Sequence, residues 1–339
     1  MQRIYRISHP RELRQAGPTS LIELEARPNP LILPRSKVDL TVSGIASGYS
    51  AISISGPTGT GKSMLVNALA DERNLIPLCE DLEIEAKPVK LYSINLQSFE
   101  SSSDLLRNRE LINGNTRWYP STITAAIRDA RELLAKGTHR PVLYFMEVGR
   151  IRPDIQNGLL HIINRDTEIV LPDECLSTEG ITMLLDSNYQ DTGSHGSYYA
   201  LTELDTALRR RLCLSITMGY LPAEHEEAIC RRLLEHDGCS CDAHLQQVIR
   251  QTVKLGSVIR TAKADGSFHS LGPPTIESYL TAIRLSLQLP GYSLWTILEN
   301  TLLGMASEDD QKRFPELFSK LRGGNETAEK EIAVSPELF

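Results

Sequence analysis

The sequence predicts an α/β fold with a parallel sheet, followed by a smaller all-helical domain. Up to residue 221, apolar runs typical of strands alternate with segments of helical periodicity, which is the pattern of a parallel sheet covered by helices on both faces. Residues 141–148 and 181–186 are apolar almost throughout, as strands buried on both faces are. After Pro222 only helical patterns follow, and these predict the second domain.

The chain is predicted to have four segments. Residues 1–48 form an N-terminal lead-in with one short helix, because prolines interrupt any longer period. The α/β domain spans 49–221, the helical domain spans 222–322, and the polar residues 323–339 form a flexible tail. Strands are predicted at 49–55, 89–96, 141–148, 181–186 and 212–218, and helices at 62–73, 121–135, 154–164, 224–235, 245–254, 276–287 and 295–304.

Composition narrows the class of protein. With 41% hydrophobic and 23% charged residues over 339 positions, the chain has the size and make-up of two packed globular domains. No apolar run approaches the ~20 residues of a membrane-spanning helix, and no secretory signal is visible. The six cysteines are scattered without a CxxC pair, which predicts reduced thiols and a cytoplasmic location. The formal charge of −7 disfavours electrostatic binding of nucleic acid by the whole protein.

A glycine-rich motif lies between the first predicted strand and the first predicted helix of the α/β domain. It has the pattern GxxxxGK[ST], whose glycines let backbone amides and a helix N-terminus surround phosphate groups. The lysine of such a loop reaches the β- and γ-phosphates, and the hydroxyl of the next residue ligates Mg²⁺. The sequence therefore predicts binding of a nucleoside triphosphate with Mg²⁺, and Ser63 is the predicted metal ligand. The predicted nucleotide-binding residues are Gly56, Pro57, Thr58, Gly59, Thr60, Gly61, Lys62, Ser63 and Met64.

A second acidic site is expected at the end of a neighbouring buried strand, where nucleotide hydrolases of this kind place an acid for Mg²⁺. The stretch 143–147 supplies Glu147, which is predicted to activate the attacking water, but Met146 occupies the position of the expected aspartate. A thioether is a poor ligand for a hard cation. Hydrolysis of the bound nucleoside triphosphate is therefore expected to be weak, unless Asp186 on the next strand compensates.

Several further stretches resemble AAA+ ATPases of the MoxR type, and among them the CbbQ/NorQ-like proteins. The resemblance covers residues 50–320 and is carried by 113–120 before a predicted helix, 147–160, 168–173, 187–188, 203–212 and 219–222. It implies a three-layer AAA+ sandwich with a helical lid, ATP as the nucleotide, and a ring of six copies with ATP bound between subunits. It also implies a sensor role for Asn188 and an arginine finger at Arg211, with Arg210 beside it. Pro274 stands where the family has a second sensor arginine.

Three functions follow from these patterns. The first is a ring ATPase that remodels or helps mature a partner, which the resemblance suggests to be a von Willebrand factor A-domain protein. The second is a nucleotide-dependent scaffold that hydrolyses slowly or not at all, which Met146 and Pro274 favour. The third is a nucleic-acid-directed or defence-system ATPase subunit. The formal charge of −7 and the lack of a DNA-binding motif in the sequence argue against it.

Overall fold

A computed structural model of the chain describes residues 3–112, 115–163, 167–171, 174–188, 205–268, 270, 272–304 and 306–314. The described residues up to Tyr220 form one compact unit, and those from Leu221 onwards form another. The strands are Ile4–Arg6 (β1), Leu21–Leu24 (β2), Leu31–Pro34 (β3), Ala51–Ser55 (β4), Val89–Asn95 (β5), Arg107–Ile112 (β6), Asn115–Pro120 (β7), Arg140–Met146 (β8), Glu168–Val170 (β9), Cys175–Ser177 (β10), Thr182–Ser187 (β11) and Leu214–Thr217 (β12). The helices are Pro10–Leu13 (α1), Arg35–Ala46 (α2), Lys62–Leu69 (α3), Glu72–Asp81 (α4), Thr122–Lys136 (α5), Pro153–Ile162 (α6), Thr206–Arg209 (α7), Ala223–His236 (α8), Ala243–Ala264 (α9), Ile276–Gln288 (α10), Leu294–Thr301 (α11) and Glu308–Gln311 (α12).

The centre of the first unit is a five-stranded sheet in the order β12-β4-β11-β8-β5. Every pairing in it is parallel, as the alternating pattern predicts. Strands β4, β8 and β11 lie in the middle and are buried almost throughout, which is why their sequences are apolar runs rather than alternations. The five strands predicted from the sequence are all present, with ends that differ by one or two residues.

Helices cover the two faces of this sheet, so the predicted three-layer α/β architecture is confirmed. One apolar cluster joins α2, α3 and α4 to side chains such as Ile54 and Leu184. A second cluster joins α5, α6 and α7 to the alternate side chains of the same strands, among them Phe145 and Leu185. Because successive side chains of a strand point to opposite faces, one buried strand contributes to both clusters.

The N-terminal segment contains more regular structure than the single short helix predicted for residues 1–48. Strands β1, β2 and β3 form a small sheet, and α2 packs into the first apolar cluster. The strands have only three or four residues, too few to show a period, so their pairing could not be detected from the sequence. Asn74 of α4 fastens the segment, since its buried amide exchanges hydrogen bonds with the backbone N–H and carbonyl of Glu25 at 2.8 and 2.7 Å.

Helix α4 was also absent from the sequence prediction, which extended one helix over 62–73. The first helix ends at Leu69, and Asp71 caps a new one by accepting a hydrogen bond from the Arg73 N–H. Pro77 lies inside α4, and proline is normally a signal against helix interior. Apolar packing of Leu75 and Leu78 against the sheet stabilises this helix despite it.

The first unit also contains two antiparallel hairpins. Strands β6 and β7 pair antiparallel, at the stretch whose sequence resembles an insertion before α5, and residues 113–114 at its tip lie outside the described part. Strands β9 and β10 also pair antiparallel, which is the short hairpin that the resemblance implied near 168–173.

The second unit consists of helices among its described residues. Helices α8, α9, α10 and α11 correspond to the four predicted ones, and α9 extends ten residues beyond its predicted end at 254. The predicted tail 323–339 lies outside the described residues. None of the helices described has the length and apolar character that a membrane span requires.

Candidate nucleotide-binding site

The glycine-rich loop connects the end of β4 to the first residue of α3, as the motif requires. Gly56 has a φ of 151°, and a Cβ placed on it would lie 2.0 Å from the Met218 carbonyl oxygen, so a larger residue cannot occupy this position. Gly61 caps α3 in the left-handed region with a φ of 86°. The loop thus turns tightly into the helix and leaves the helix N-terminal amides facing the bend.

Lys62 is folded back onto the loop that it follows. Its Nζ donates hydrogen bonds of 2.8 Å to the carbonyl oxygens of Gly56 and Pro57, and the side chain is buried. Burial lowers the pKa of Lys62 to about 8, against the opposing effect of the Asp186 and Glu147 carboxylates. Phosphate oxygens offer this ammonium group stronger acceptors than carbonyl oxygens do, so the lysine is placed to transfer its hydrogen bonds to a bound triphosphate.

The other loop residues form an open rim. Thr58, Gly59, Ser63 and Met64 are exposed, whereas Gly56 and Pro57 are buried beneath them. The Thr60 hydroxyl donates to the Pro57 carbonyl at 2.9 Å and so closes the turn from inside. A Cβ on Gly61 would lie 3.2 Å from Leu31 Cδ1, so the N-terminal β3 packs against the loop. Sequence reasoning missed this wall of the site because it treated residues 1–48 as a lead-in.

Ser63, the predicted metal ligand, contacts an acid from the neighbouring strand. Its Oγ donates a 3.0 Å hydrogen bond to Asp186 Oδ2, and Asp186 is 3% exposed at the penultimate position of β11. The Tyr144 hydroxyl donates to the same carboxylate oxygen, and the Glu147 N–H donates to the other. Burial and the adjacent Asp186 carboxylate raise the pKa of Tyr144. Ser63 and Asp186 together present hard oxygen donors, which suit Mg²⁺.

Glu147 follows β8 in a left-handed conformation, with a φ of 55°. This turn directs its carboxylate away from the strand, where Oε2 accepts a 2.8 Å hydrogen bond from the Gln97 amide and lies 3.4 Å from Arg150 Nη1. Sequence reasoning did not identify Gln97. The available signal was its place just after β5, because the carboxyl ends of neighbouring parallel strands meet at one edge of the sheet.

The structure places the other predicted site residues as follows. Asn188 follows β11 directly, next to Ser187, whose carbonyl accepts the Gly56 N–H at 3.1 Å, so Asn188 adjoins the loop. Arg210 and Arg211 follow α7, which Asp205 caps through its bond to the Ala207 N–H. Arg210 is exposed, whereas Arg211 is half-buried and its Nη1 is buried with no hydrogen-bond partner among the described residues.

Pro274, which stands at the expected position of the second sensor arginine, has a partner within the helical unit. The Pro274 carbonyl accepts a 2.9 Å hydrogen bond from Arg260 Nε, and Arg260 also pairs with the buried Glu226 at 2.6 Å.

Comparison with known proteins matches residues 52–212 to the model of the AAA domain, dynein-related subfamily. No curated protein matches the chain. Among solved structures, a mutant of RuvB from Thermotoga maritima is similar at 13% identity, over 90% of this chain and 82% of that chain, with a TM-score of 0.46. The HORMA:CdnC:Trip13 complex of E. coli MS115-1 is similar at 13% identity over 78% and 77%, with a TM-score of 0.45. The FIGL-1 AAA domain in complex with ADP is similar at 12% identity over 84% and 86%, with a TM-score of 0.43.

Proposed function

We propose that this chain, whose residues 52–212 form an AAA domain with the P-loop AAA+ fold, is a ring ATPase that remodels or helps activate a partner protein. ATP binding would order the subunits, and its hydrolysis would shift them between conformations and so act on the partner. The finer assignment, to the MoxR type and its CbbQ/NorQ-like members, rests on the sequence stretches that resemble that group. With it come a cytoplasmic location, a six-membered ring and a von Willebrand factor A-domain partner.

The observation that carries the proposal is the convergence of Lys62, Ser63, Asp186 and Glu147 at one edge of the parallel sheet. The loop supplies amides and an ammonium group for phosphates, and Ser63 beside Asp186 supplies oxygen donors for Mg²⁺. Bound Mg²⁺ would neutralise charge on the β- and γ-phosphate oxygens. This donor set fits a Mg–ATP complex, and Glu147 beside it is the group that supports hydrolysis rather than binding alone.

Glu147 is the proposed base that activates water. Its carboxylate is half-exposed beyond the loop, and the left-handed turn at this residue aims it outwards from β8. Asn188, next to the start of the loop, is proposed to orient the same water or the γ-phosphate. Arg211, with Arg210 beside it, is proposed to reach the γ-phosphate of a neighbouring subunit, where a guanidinium stabilises transition-state charge.

The scaffold remains a second candidate because two observations favour it. Met146 offers no oxygen at the end of β8, and Glu147 is held by Gln97 and Arg150. These two donors compete with a water molecule for the Glu147 carboxylate. In this alternative, ATP assembles the ring and is retained.

Light scattering and phosphate release distinguish the two candidates. We expect the wild type to assemble with ATP and to release phosphate, and Lys62→Ala to do neither. Loss of the ammonium group should weaken ATP binding by about tenfold or more, because a charge-assisted hydrogen bond contributes roughly 1.5–3 kcal/mol. Lys136→Ala, an exposed lysine at the end of α5, is the matched control.

Glu147→Gln completes the set, since it should bind ATP and assemble without releasing phosphate. Wild-type assembly without phosphate release would support the scaffold. An assembly state that neither ATP nor Lys62→Ala changes would contradict the ring in both candidates.

A further inference from the structure

The end of β8 has lost the oxygen that a nucleotide hydrolase of this kind uses for its metal ion. Met146, the last residue of the strand, packs its half-buried side chain against the apolar cluster that also contains Val142 and Tyr144. Its thioether is a soft, weak acceptor, whereas Mg²⁺ takes oxygen ligands almost exclusively.

The neighbouring strand supplies a carboxylate at the same height. Strand β11 pairs with β8 in a register that places Leu185 opposite Phe145. Asp186 follows Leu185 as Met146 follows Phe145, so the two side chains lie side by side on one face of the sheet. Neighbouring strands are only about 4.8 Å apart, a distance that one side chain can span. Asp186 therefore reaches the position that an acid at 146 would serve.

The contacts of Asp186 place it beside the predicted metal ligand of the loop. The carboxylate accepts the Ser63 hydroxyl at 3.0 Å, from a residue 123 positions away in the chain. Its second oxygen accepts the N–H of Glu147, so one carboxylate links the metal ligand of the loop to the backbone of the proposed base. The Ser63 hydroxyl, which the loop motif assigns to Mg²⁺, is thus one of the three donors to this buried carboxylate.

The buried Tyr144 side chain holds the Asp186 carboxylate in place. It lies two residues before Met146 on the same strand, is 0% exposed, and donates its hydroxyl to the Asp186 oxygen that Ser63 also contacts. An aspartate at 146 in addition to Asp186 would put two carboxylates on neighbouring strands, where like charges oppose one another. Met146, Asp186 and Tyr144 thus form a consistent set.

We propose that the magnesium-side acid of this site has moved from β8 to β11, with Asp186 in the role that Met146 cannot serve and Tyr144 as its positioning residue. The inference rests on the Mg–ATP site proposed above and goes beyond it by naming the acid. Loss of oxygen at 146 then does not imply loss of the metal ion.

Nucleotide affinity with and without Mg²⁺ tests the inference without recourse to activity. A fluorescent ATP analogue is titrated at saturating Mg²⁺ and again in EDTA. Mg²⁺ is then titrated at a fixed concentration of the analogue, which gives the Mg²⁺ midpoint for tight binding. Asp186→Asn should raise that midpoint by about tenfold or more, as loss of a metal-site partner typically does. It should not weaken binding in EDTA, because it removes a negative charge near the phosphates. Tyr144→Phe should raise the midpoint less, in the same direction.

A double variant that exchanges residues 146 and 186 gives the most specific test. Met146→Asp combined with Asp186→Met returns the acid to β8 and should recover a Mg²⁺ midpoint closer to that of the wild type than Asp186→Met alone gives. Glu132→Gln is the control, because it removes an exposed carboxylate on α5, away from the site, and should leave the midpoint unchanged.

The outcomes separate this inference from the function beneath it. A wild type that binds no nucleotide would overturn the proposed function. A wild type with Mg²⁺-dependent binding that survives unchanged in Asp186→Asn and Tyr144→Phe would overturn the inference alone. Should Asp186→Asn fail to fold, Tyr144→Phe and the exchange variant still test the inference. An unchanged Mg²⁺ midpoint in Tyr144→Phe would count against Asp186, and so would an exchange variant that shows no recovery.

Discussion

The Gln97 side-chain amide donates a 2.8 Å hydrogen bond to Glu147 Oε2, and so joins the turn after β5 to the proposed base after β8. The bond competes with a water molecule for the Oε2 oxygen of Glu147. Gln97→Ala should raise basal phosphate release by about two- to tenfold, because one hydrogen bond contributes roughly 0.5–1.5 kcal/mol. Ser98→Ala, in the same turn but bonded to the Asn95 carbonyl, should leave the rate unchanged. A lower rate in Gln97→Ala would mean that Gln97 orients the base instead of restraining it.

Arg211 is expected to act on the nucleotide of a neighbouring subunit, and subunit mixing tests this directly. Arg211→Ala and Glu147→Gln should each release little phosphate alone. A mixture of the two should regain activity, since a ring interface becomes complete where an intact Glu147 meets an intact Arg211. Random mixing makes about a quarter of the interfaces complete in a closed ring. Recovery no greater than the sum of the two separate preparations would contradict action between subunits.

Asn74→Ala should destabilise the first unit. The buried amide exchanges two hydrogen bonds with Glu25 and donates a third, of 2.8 Å, to the Ala68 carbonyl. Its loss leaves backbone groups without partners, at a cost of about 1–3 kcal/mol. Urea unfolding followed by circular dichroism measures the change. Asn300→Ala, an exposed helical asparagine, should shift the free energy of unfolding by no more than about 0.5 kcal/mol.

Gly256→Ala should destabilise the helical unit, although replacing glycine by alanine inside a helix usually stabilises a protein. A methyl group there would lie 2.0 Å from the Tyr279 hydroxyl oxygen, because α9 and α10 approach closely at this point. Overpacking costs about 1–3 kcal/mol, which outweighs the gain of about 1 kcal/mol from helix propensity. We therefore expect net destabilisation, whereas Gly291→Ala, with open space around it, should be close to neutral.

Tryptophan fluorescence can follow the second unit separately, since the two tryptophans, Trp118 and Trp295, lie in different units. In a Trp118→Phe background, Trp295 reports on the helical unit alone. A stabilised Gly256→Ala variant in that assay would show that α9 and α10 separate at little cost.

Several features of this protein follow from short stretches of its sequence. The loop 56–63 is a contiguous motif, and its glycines, lysine and serine are required by the local geometry of the turn. The structure places the loop between β4 and α3 as predicted. The central strands can be recognised in the sequence as continuous apolar runs, because burial on both faces leaves no polar positions. Glu147 at the end of β8 was located by the same pattern.

Other features were decided only when distant segments met. The sequence identifies Met146 as a missing acid, but whether Asp186 compensates depends on the lateral register of β8 and β11 and on where Ser63 faces, 123 residues away. Gln97 became part of the site because β5 ends beside β8. The strands of the N-terminal segment are too short to be specified locally and form through pairing and burial. Local patterns set the central strands, most of the longer helices and the phosphate loop, whereas contacts between neighbouring strands set which side chains complete the site.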